Sequence, residues 1–242
     1  MDTVDISNAP PEYLEIAWLA DICKLTMAIG FIVSYVAMIS KSFKDRTYGL
    51  AWMPLCCNFA WELVYIFMYP FESPARRLVF ALGFGPNCIL MYTAFKFAAN
   101  EWGHAPVIQR NIPLILFVTT FGWITAHLAI AVQFGAAQAQ AYVAYFCTLF
   151  WSSGQICQLL SRGTSRGTSY TIWLGRFLGT VALIPQDILR YNYWRKDHER
   201  FGTPLYIWFV CTFLILNFIY GICFWNIRRS EQQMEKTEKA RR

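Results

Sequence analysis

Seven stretches of this chain are apolar enough and long enough to cross a lipid bilayer, at roughly 17–39, 48–70, 76–99, 112–134, 138–160, 169–194 and 204–226. At about 1.5 Å of rise per residue, some 20 apolar residues in a helix cover a hydrocarbon core of about 30 Å. The expected fold is therefore all-α, a seven-transmembrane-helix bundle. The longest connection runs from Asn100 to Asn111, which leaves no room for a second folded domain. The chain divides into an N-terminal segment 1–16, a membrane domain 17–226 and a basic tail 227–242, expected as a short solvated helix or disordered.

Composition agrees with a membrane protein and excludes other classes. The chain is 56% hydrophobic and 18% aromatic, with mean hydropathy +0.33, too apolar for a soluble domain with a polar shell. The net charge of +6 is concentrated in loops and the tail, a topology signal unlike a nucleic-acid-binding face. All eight cysteines lie in apolar runs, and the reading is small buried hydrophobes, neither disulfides nor metal ligands.

Residues 1–16 hold Asp2, Asp5, Glu12 and Glu15 and no Lys or Arg, so no cleavable signal peptide is expected. With the N-terminus outside, the inner side collects twelve basic residues, Lys41, Lys44, Arg46, Arg110, Arg162, Arg166 and six of the tail, against five on the other side. The positive-inside rule then predicts a lumenal N-terminus and a cytosolic tail.

Glu62 sits deep in the second run, and an ionisable group at such a depth usually faces a bundle interior and marks a site. Asn58, Trp61, Glu62, Tyr65 and Tyr69 fall at helical spacing on one face, which is polar and aromatic and carries an acid. Asp187, directly after Pro185-Gln186 in run six, is the second expensive carboxyl, with Arg190 three residues on as a structural partner for it. Glu62 lies roughly 21 Å and Asp187 roughly 26 Å from the inner ends of their runs, depths compatible with a shared cavity. Asp21 and Lys24 are spaced to neutralise each other near the surface. Lys96 and Arg190 are placed to snorkel, His127, Gln155 and Gln158 to tie helices together, and Arg176 to meet a lipid phosphate or an acid. No P-loop, G-x-S-x-G, H-E-x-x-H, C-x-x-C or dinucleotide fingerprint is present, nor the DDxxD and DxDD motifs of soluble terpene synthases and cyclases.

The block Pro54-Leu-Cys-Cys-Asn58-Phe-Ala-Trp61-Glu62-Leu-Val-Tyr65 resembles the fungal integral-membrane terpene cyclases of meroterpenoid and indole-diterpene pathways, most closely the paxilline-type branch. The segments Ser42–Gly49, Glu101–Pro106 and Arg162–Trp173 extend that resemblance over nearly the whole chain. It implies an enzyme that protonates the epoxide of an epoxidised prenyl-indole and steers the resulting carbocation through ring closures, with no cofactor and no metal. It also implies a place in the endoplasmic reticulum membrane and functional coupling to an upstream epoxidase. Glu62 stands at the family's essential glutamate. The family's span-seven aspartate falls where this chain has Asn217, an amide that holds a hydrogen bond but carries no acidic proton. Burial among apolar groups favours the neutral, proton-donating form of a carboxyl, and aromatic faces stabilise migrating cations without trapping them. Trp61, Tyr65, Trp123, Trp173 and Tyr220 are the candidates for that role, and Asn58 and Asn217 for contacts to substrate. The rival reading is a small PQ-loop-like transporter. It requires the Pro-Gln dipeptide twice, and run two offers only Met53-Pro54-Leu55.

Overall fold

The computed structural model describes residues 9–70 and 74–241, and every regular element among them is helical. Asp2 and Asp5 of the expected lumenal segment lie outside the described residues. In chain order the helices are α1 (Pro11–Asp45), α2 (Trp52–Leu63), α3 (Pro74–Phe97), α4 (Pro106–Phe134), α5 (Ala136–Arg162), α6 (Tyr170–Val181), α7 (Leu183–Tyr193), the single turn α8 (Arg195–His198) and α9 (Pro204–Arg241). Each of the seven apolar runs carries helix. Among the described residues, four helical stretches are both long and apolar enough to cross a membrane: Pro11–Asp45, Pro106–Phe134, Tyr170–Tyr193 and Pro204–Arg241, with a shorter apolar helix at Trp52–Met68. Their outward faces are apolar, as a lipid-facing surface requires: Leu25 and Ile32 on α1 and Phe117, Phe121 and Val132 on α4 are each more than half exposed.

The described residues divide into two compact units, the smaller formed by Met1–Ala37 and Ser169–Leu214, the larger by Met38–Thr168 and Ile215–Arg242. In the smaller unit, α1 meets α6 through glycine. A Cβ on Gly30 would lie 2.5 Å from the Gly175 carbonyl oxygen and 2.8 Å from Gly179 Cα, so two backbones touch there without side chains between them. Gly175 and Gly179 are four apart on α6, the small-residue spacing that lets membrane helices approach closely. Ser34 Oγ adds a hydrogen bond to the Ile172 carbonyl at 2.9 Å. Ser169 caps α6, accepting from the Ile172 N–H. Run six is broken into α6 and α7 at Ala182, because Pro185 has no N–H for the Val181 carbonyl one turn back. Tyr13, Ala20 and Trp194 form this unit's buried apolar cluster.

In the larger unit α2 is surrounded by α3, α4 and α5. Gly154 of α5 lets Pro54 of α2 approach so closely that a Cβ would sit 2.5 Å from the proline ring. Cys57, Val143 and Cys147 are buried together there, with Trp61, Trp123, Ile130 and Phe150 packed around them. After Leu63, α2 widens into a π-helical turn over Val64–Met68, and Tyr69 leaves helical geometry at φ −124°. This corrects the expected five-residue face, which ends at Tyr65. The tail also departs from expectation: α9 is one continuous helix to Arg241 instead of a span ending near 226 followed by a separate segment.

The doubled segment Arg162-Gly-Thr-Ser-Arg-Gly-Thr-Ser169 joins α5 to α6. Gly163 and Gly167 both adopt positive φ, at 62° and 76°, a conformation that glycine takes without penalty. Arg166 bonds Glu101 at 2.9 Å, and Arg162 lies 3.6 Å from the same carboxylate while covering the Tyr48 ring. Gly167 N–H donates to Asp45, and Ser165 donates through both N–H and Oγ to Glu231 of α9.

Candidate active site

Glu62 is 7% exposed, in the last turn of α2 before the π-helical turn. π-turns inside helices occur frequently at functional sites, because the inserted residue redirects the side chains that follow. Asn87 of α3, itself fully buried, donates from Nδ2 to Glu62 Oε1 at 2.7 Å. A protonated carboxyl has one carbonyl-type acceptor and one O–H donor. An amide N–H on Oε1 is thus compatible with a proton on Oε2 when the carboxyl is neutral.

Aromatic side chains flank Glu62 and Asn87 along α2, the π-helical turn and α3. Trp61 packs against Phe80 at 5.2 Å and Tyr65 at 5.8 Å, Tyr65 against Tyr69 at 6.2 Å, and Phe59 stacks on Phe84 at 5.1 Å. The Trp61 Nε1 and Tyr65 hydroxyl are buried without a hydrogen-bond partner among the described residues. Buried donors of this kind usually find an acceptor. Their rings present electron-rich faces, which attract a cation.

Six of the expected site residues, Asn58, Trp61, Glu62, Tyr65, Asn217 and Tyr220, belong to the larger unit. Asn217 is buried and donates to Ser152 Oγ at 3.3 Å, so it works as a hydrogen-bonding amide. The Tyr220 hydroxyl pairs with Thr168 Oγ1 at 2.6 Å and borders a cavity of about 10 Å³, room for one water, shared with Gln158 and Arg162. Asp187 and Trp173 belong to the smaller unit. There Asp187 is 6% exposed and accepts from the Tyr206 hydroxyl at 2.7 Å. Trp173 stacks on Phe177, which stacks in turn on Phe213, both at 6.1 Å. Arg176 lies over the Phe31 ring at 5.5 Å. Asp21 and Lys24 form the expected exposed pair at 2.8 Å.

Sequence reasoning missed Asn87, although an amide directly after Pro86 in the middle of an apolar run is the same kind of signal as Gln155. It also missed that Cys57, His127 and Cys147, 70 and 90 residues apart in sequence from the first, come together in the larger unit.

Bilayer-length apolar helices, together with a buried, hydrogen-bonded carboxyl, define a helical membrane protein. A family model for Pyr4-like transmembrane terpene cyclases matches residues 4–230, and the chain belongs to that family. It is 55% identical to terpene cyclase dpmaB of Metarhizium anisopliae over 241 residues, 100% of this chain and 99% of that relative. It is 55% identical to terpene cyclase dpmpB of Macrophomina phaseolina over the full length of both. It is also 45% identical to terpene cyclase paxB of Penicillium paxilli over 234 residues, 97% of this chain and 96% of that relative. No solved structure matches.

Proposed function

We propose that this terpene cyclase acts on an epoxidised geranylgeranyl-indole or a related prenylated substrate, with Glu62 as the general acid that protonates the epoxide. The observation that carries the reading is the Asn87–Glu62 hydrogen bond, which orients a buried carboxyl next in sequence to Trp61. Epoxide opening needs a neutral proton donor and then a dry, non-nucleophilic surface. Proton transfer from Glu62 Oε2 to the epoxide oxygen breaks one C–O bond and leaves a hydroxyl on one carbon and a cation on the other. Neighbouring alkenes of the folded chain attack that cation in turn, closing rings. Aromatic faces stabilise each cation by roughly 0.5–2 kcal/mol, and loss of a proton to the ionised carboxylate or to water ends the sequence. No step requires a metal. Asn58 and Asn217 supply amide contacts to substrate and Tyr220 further aromatic surface, and in the same reading Trp173 and Asp187 of the smaller unit supply an aromatic face and a carboxyl to the reaction.

In the same reading the chain crosses the endoplasmic reticulum membrane seven times with a lumenal N-terminus and a cytosolic tail, and draws its substrate from an upstream epoxidase. The twelve-to-five distribution of basic residues supports that orientation.

The decisive experiment compares purified wild-type and Glu62→Gln proteins on a 10,11-epoxygeranylgeranyl indole, an isomer epoxidised at the chain end, and other epoxidised prenyl aromatics. Glu62→Gln keeps the size and the hydrogen bond to Asn87 but removes the transferable proton, so turnover falls by roughly 10²–10⁴-fold with the fold intact. Near-parent turnover at equal expression would rule Glu62 out as the acid. Cyclisation of a non-indole substrate only would replace the indole while leaving the acid in place.

A further inference from the structure

The larger unit contains a cluster that the cyclisation chemistry does not use. Cys57 of α2, His127 of α4 and Cys147 of α5 are 0%, 1% and 4% exposed. The two sulfurs are 3.7 Å apart, Cys57 Sγ is 3.8 Å from His127 Nε2, and the three ligand atoms all lie within 4.8 Å of one another. Trp123 stacks on the imidazole at 5.8 Å and holds the ring in place.

These separations match those of a metal site. With Zn–S bonds of about 2.3 Å and Zn–N bonds of about 2.0–2.1 Å, tetrahedral geometry sets neighbouring ligands roughly 3.5–3.8 Å apart. Two of the three pairs are already at about that spacing, and three different helices supply the ligands. We propose that Cys57, His127 and Cys147 form a binding site for one divalent d¹⁰ cation of the zinc type, clamping α2, α4 and α5 together.

Charge selects the divalent ion. Without metal, two thiols and a neutral imidazole carry no charge, and His127 Nε2 lies 3.1 Å from the Cys57 carbonyl, to which its N–H donates. On binding, both thiols lose their protons to solvent and the ring proton moves from Nε2 to Nδ1, freeing the Nε2 lone pair for the cation. Nδ1 has no hydrogen-bond partner among the described residues, so its lone pair is open to take that proton. Two thiolates and a 2+ ion sum to zero, the form that costs least in an apolar interior. A monovalent ion on the same two thiolates would leave a buried negative charge. Three protein ligands leave the fourth position for a water or another exchangeable oxygen.

This site is independent of Glu62, and its test does not use cyclisation. The full-length protein, purified in detergent after chelator treatment, is titrated with Zn²⁺ and with Cd²⁺, whose thiolate complexes absorb in the ultraviolet. The expected result is one ion per chain, two protons released per ion, and an X-ray absorption spectrum of the zinc-loaded protein with two sulfurs and at least one imidazole nitrogen on the metal. Cys57→Ser and Cys147→Ser each weaken binding by more than the roughly 10–100-fold that loss of an outer-shell partner costs. Substitution of the exposed Cys157 and Cys211 leaves it unchanged. Absence of stoichiometric binding, a zinc shell of oxygen and nitrogen only, or sulfur ligation lost with Cys157 or Cys211 would each overturn the proposal. Should the buried cysteine variants fail to fold, the wild-type absorption spectrum decides alone.

Discussion

Asn87 holds Glu62 from the neighbouring helix, its amide nitrogen 2.7 Å from Oε1. If that bond aims the acid, Asn87→Leu removes the amide that holds Oε1 while leaving the carboxyl itself in place. Turnover should then fall by about 10-fold or more, with the Michaelis constant little changed, because a misdirected proton donor hurts the transition state and spares binding. Steady-state kinetics of the purified variant checks this. An equal loss carried entirely in the Michaelis constant would mean that Asn87 contacts substrate instead.

Asp187 poses a different choice, since Tyr206 already gives it a hydrogen bond inside the smaller unit. If Asp187 takes part in the chemistry, Asp187→Asn should reduce turnover by roughly 10²-fold with the thermal midpoint nearly unchanged. Asn217→Asp, measured beside it, reports whether an acid on α9 restores part of the loss. Normal turnover with a lowered midpoint would make Asp187 structural, because unpairing a buried charged group destabilises.

The glycine contact of α1 with α6 gives a stability prediction with an internal control. Gly30→Val inserts a side chain where even a Cβ would be 2.5 Å from the Gly175 carbonyl, and overpacking of that kind costs typically about 1–3 kcal/mol. Gly122→Ala on α4 meets nothing within 4 Å and should be neutral or stabilising by about 0.5–1 kcal/mol, since alanine favours helix over glycine. The thermal midpoint should fall for Gly30→Val and stay level or rise for Gly122→Ala.

Acid should loosen the end of the larger unit where the doubled segment lies. Burial pushes the Asp45 and Glu231 carboxyls up. Hydrogen bonds from Gly167 and Lys41 to the first, and from Ser165 and Arg228 to the second, outweigh it and leave both below their ordinary values. Carboxyls lowered in the folded state contribute stability that is present above their unfolded pKa of about 4 and lost as pH falls through the folded value. Thermal midpoints measured downward from pH 6 should therefore drop below pH 4, and the drop should shrink in an Asp45→Asn, Glu231→Gln double variant.

Long apolar runs made the helices legible, since length and hydropathy act locally and lipid leaves the backbone few alternatives. Glu62 was legible because a carboxyl in such a run is expensive wherever it ends up. Asn87 was not, because its importance comes from the neighbour it meets across a helix interface, which no spacing within α3 encodes. The same holds for Cys57, His127 and Cys147: as separate residues they read as small hydrophobes and a helix-tying histidine, and only packing makes them a cluster. The π-helical turn after Glu62 was invisible for another reason. An ordinary 3.6-residue period fits Asn58 through Tyr69 equally well until one inserted residue breaks it.

The two copies of Arg-Gly-Thr-Ser between α5 and α6 are identical in sequence but are told apart by what binds them. Both arginines go to Glu101, so a chain slipped by four residues would leave that carboxylate with one arginine instead of two. In the observed register Glu231 accepts from the first serine, Asp45 from the second glycine, and the last serine is committed to starting α6. The repeat supplies another serine and glycine four residues away, so those three contacts tolerate a slip that Glu101 does not. The paired arginines thus act as the pawl that sets where α5 stops and α6 begins.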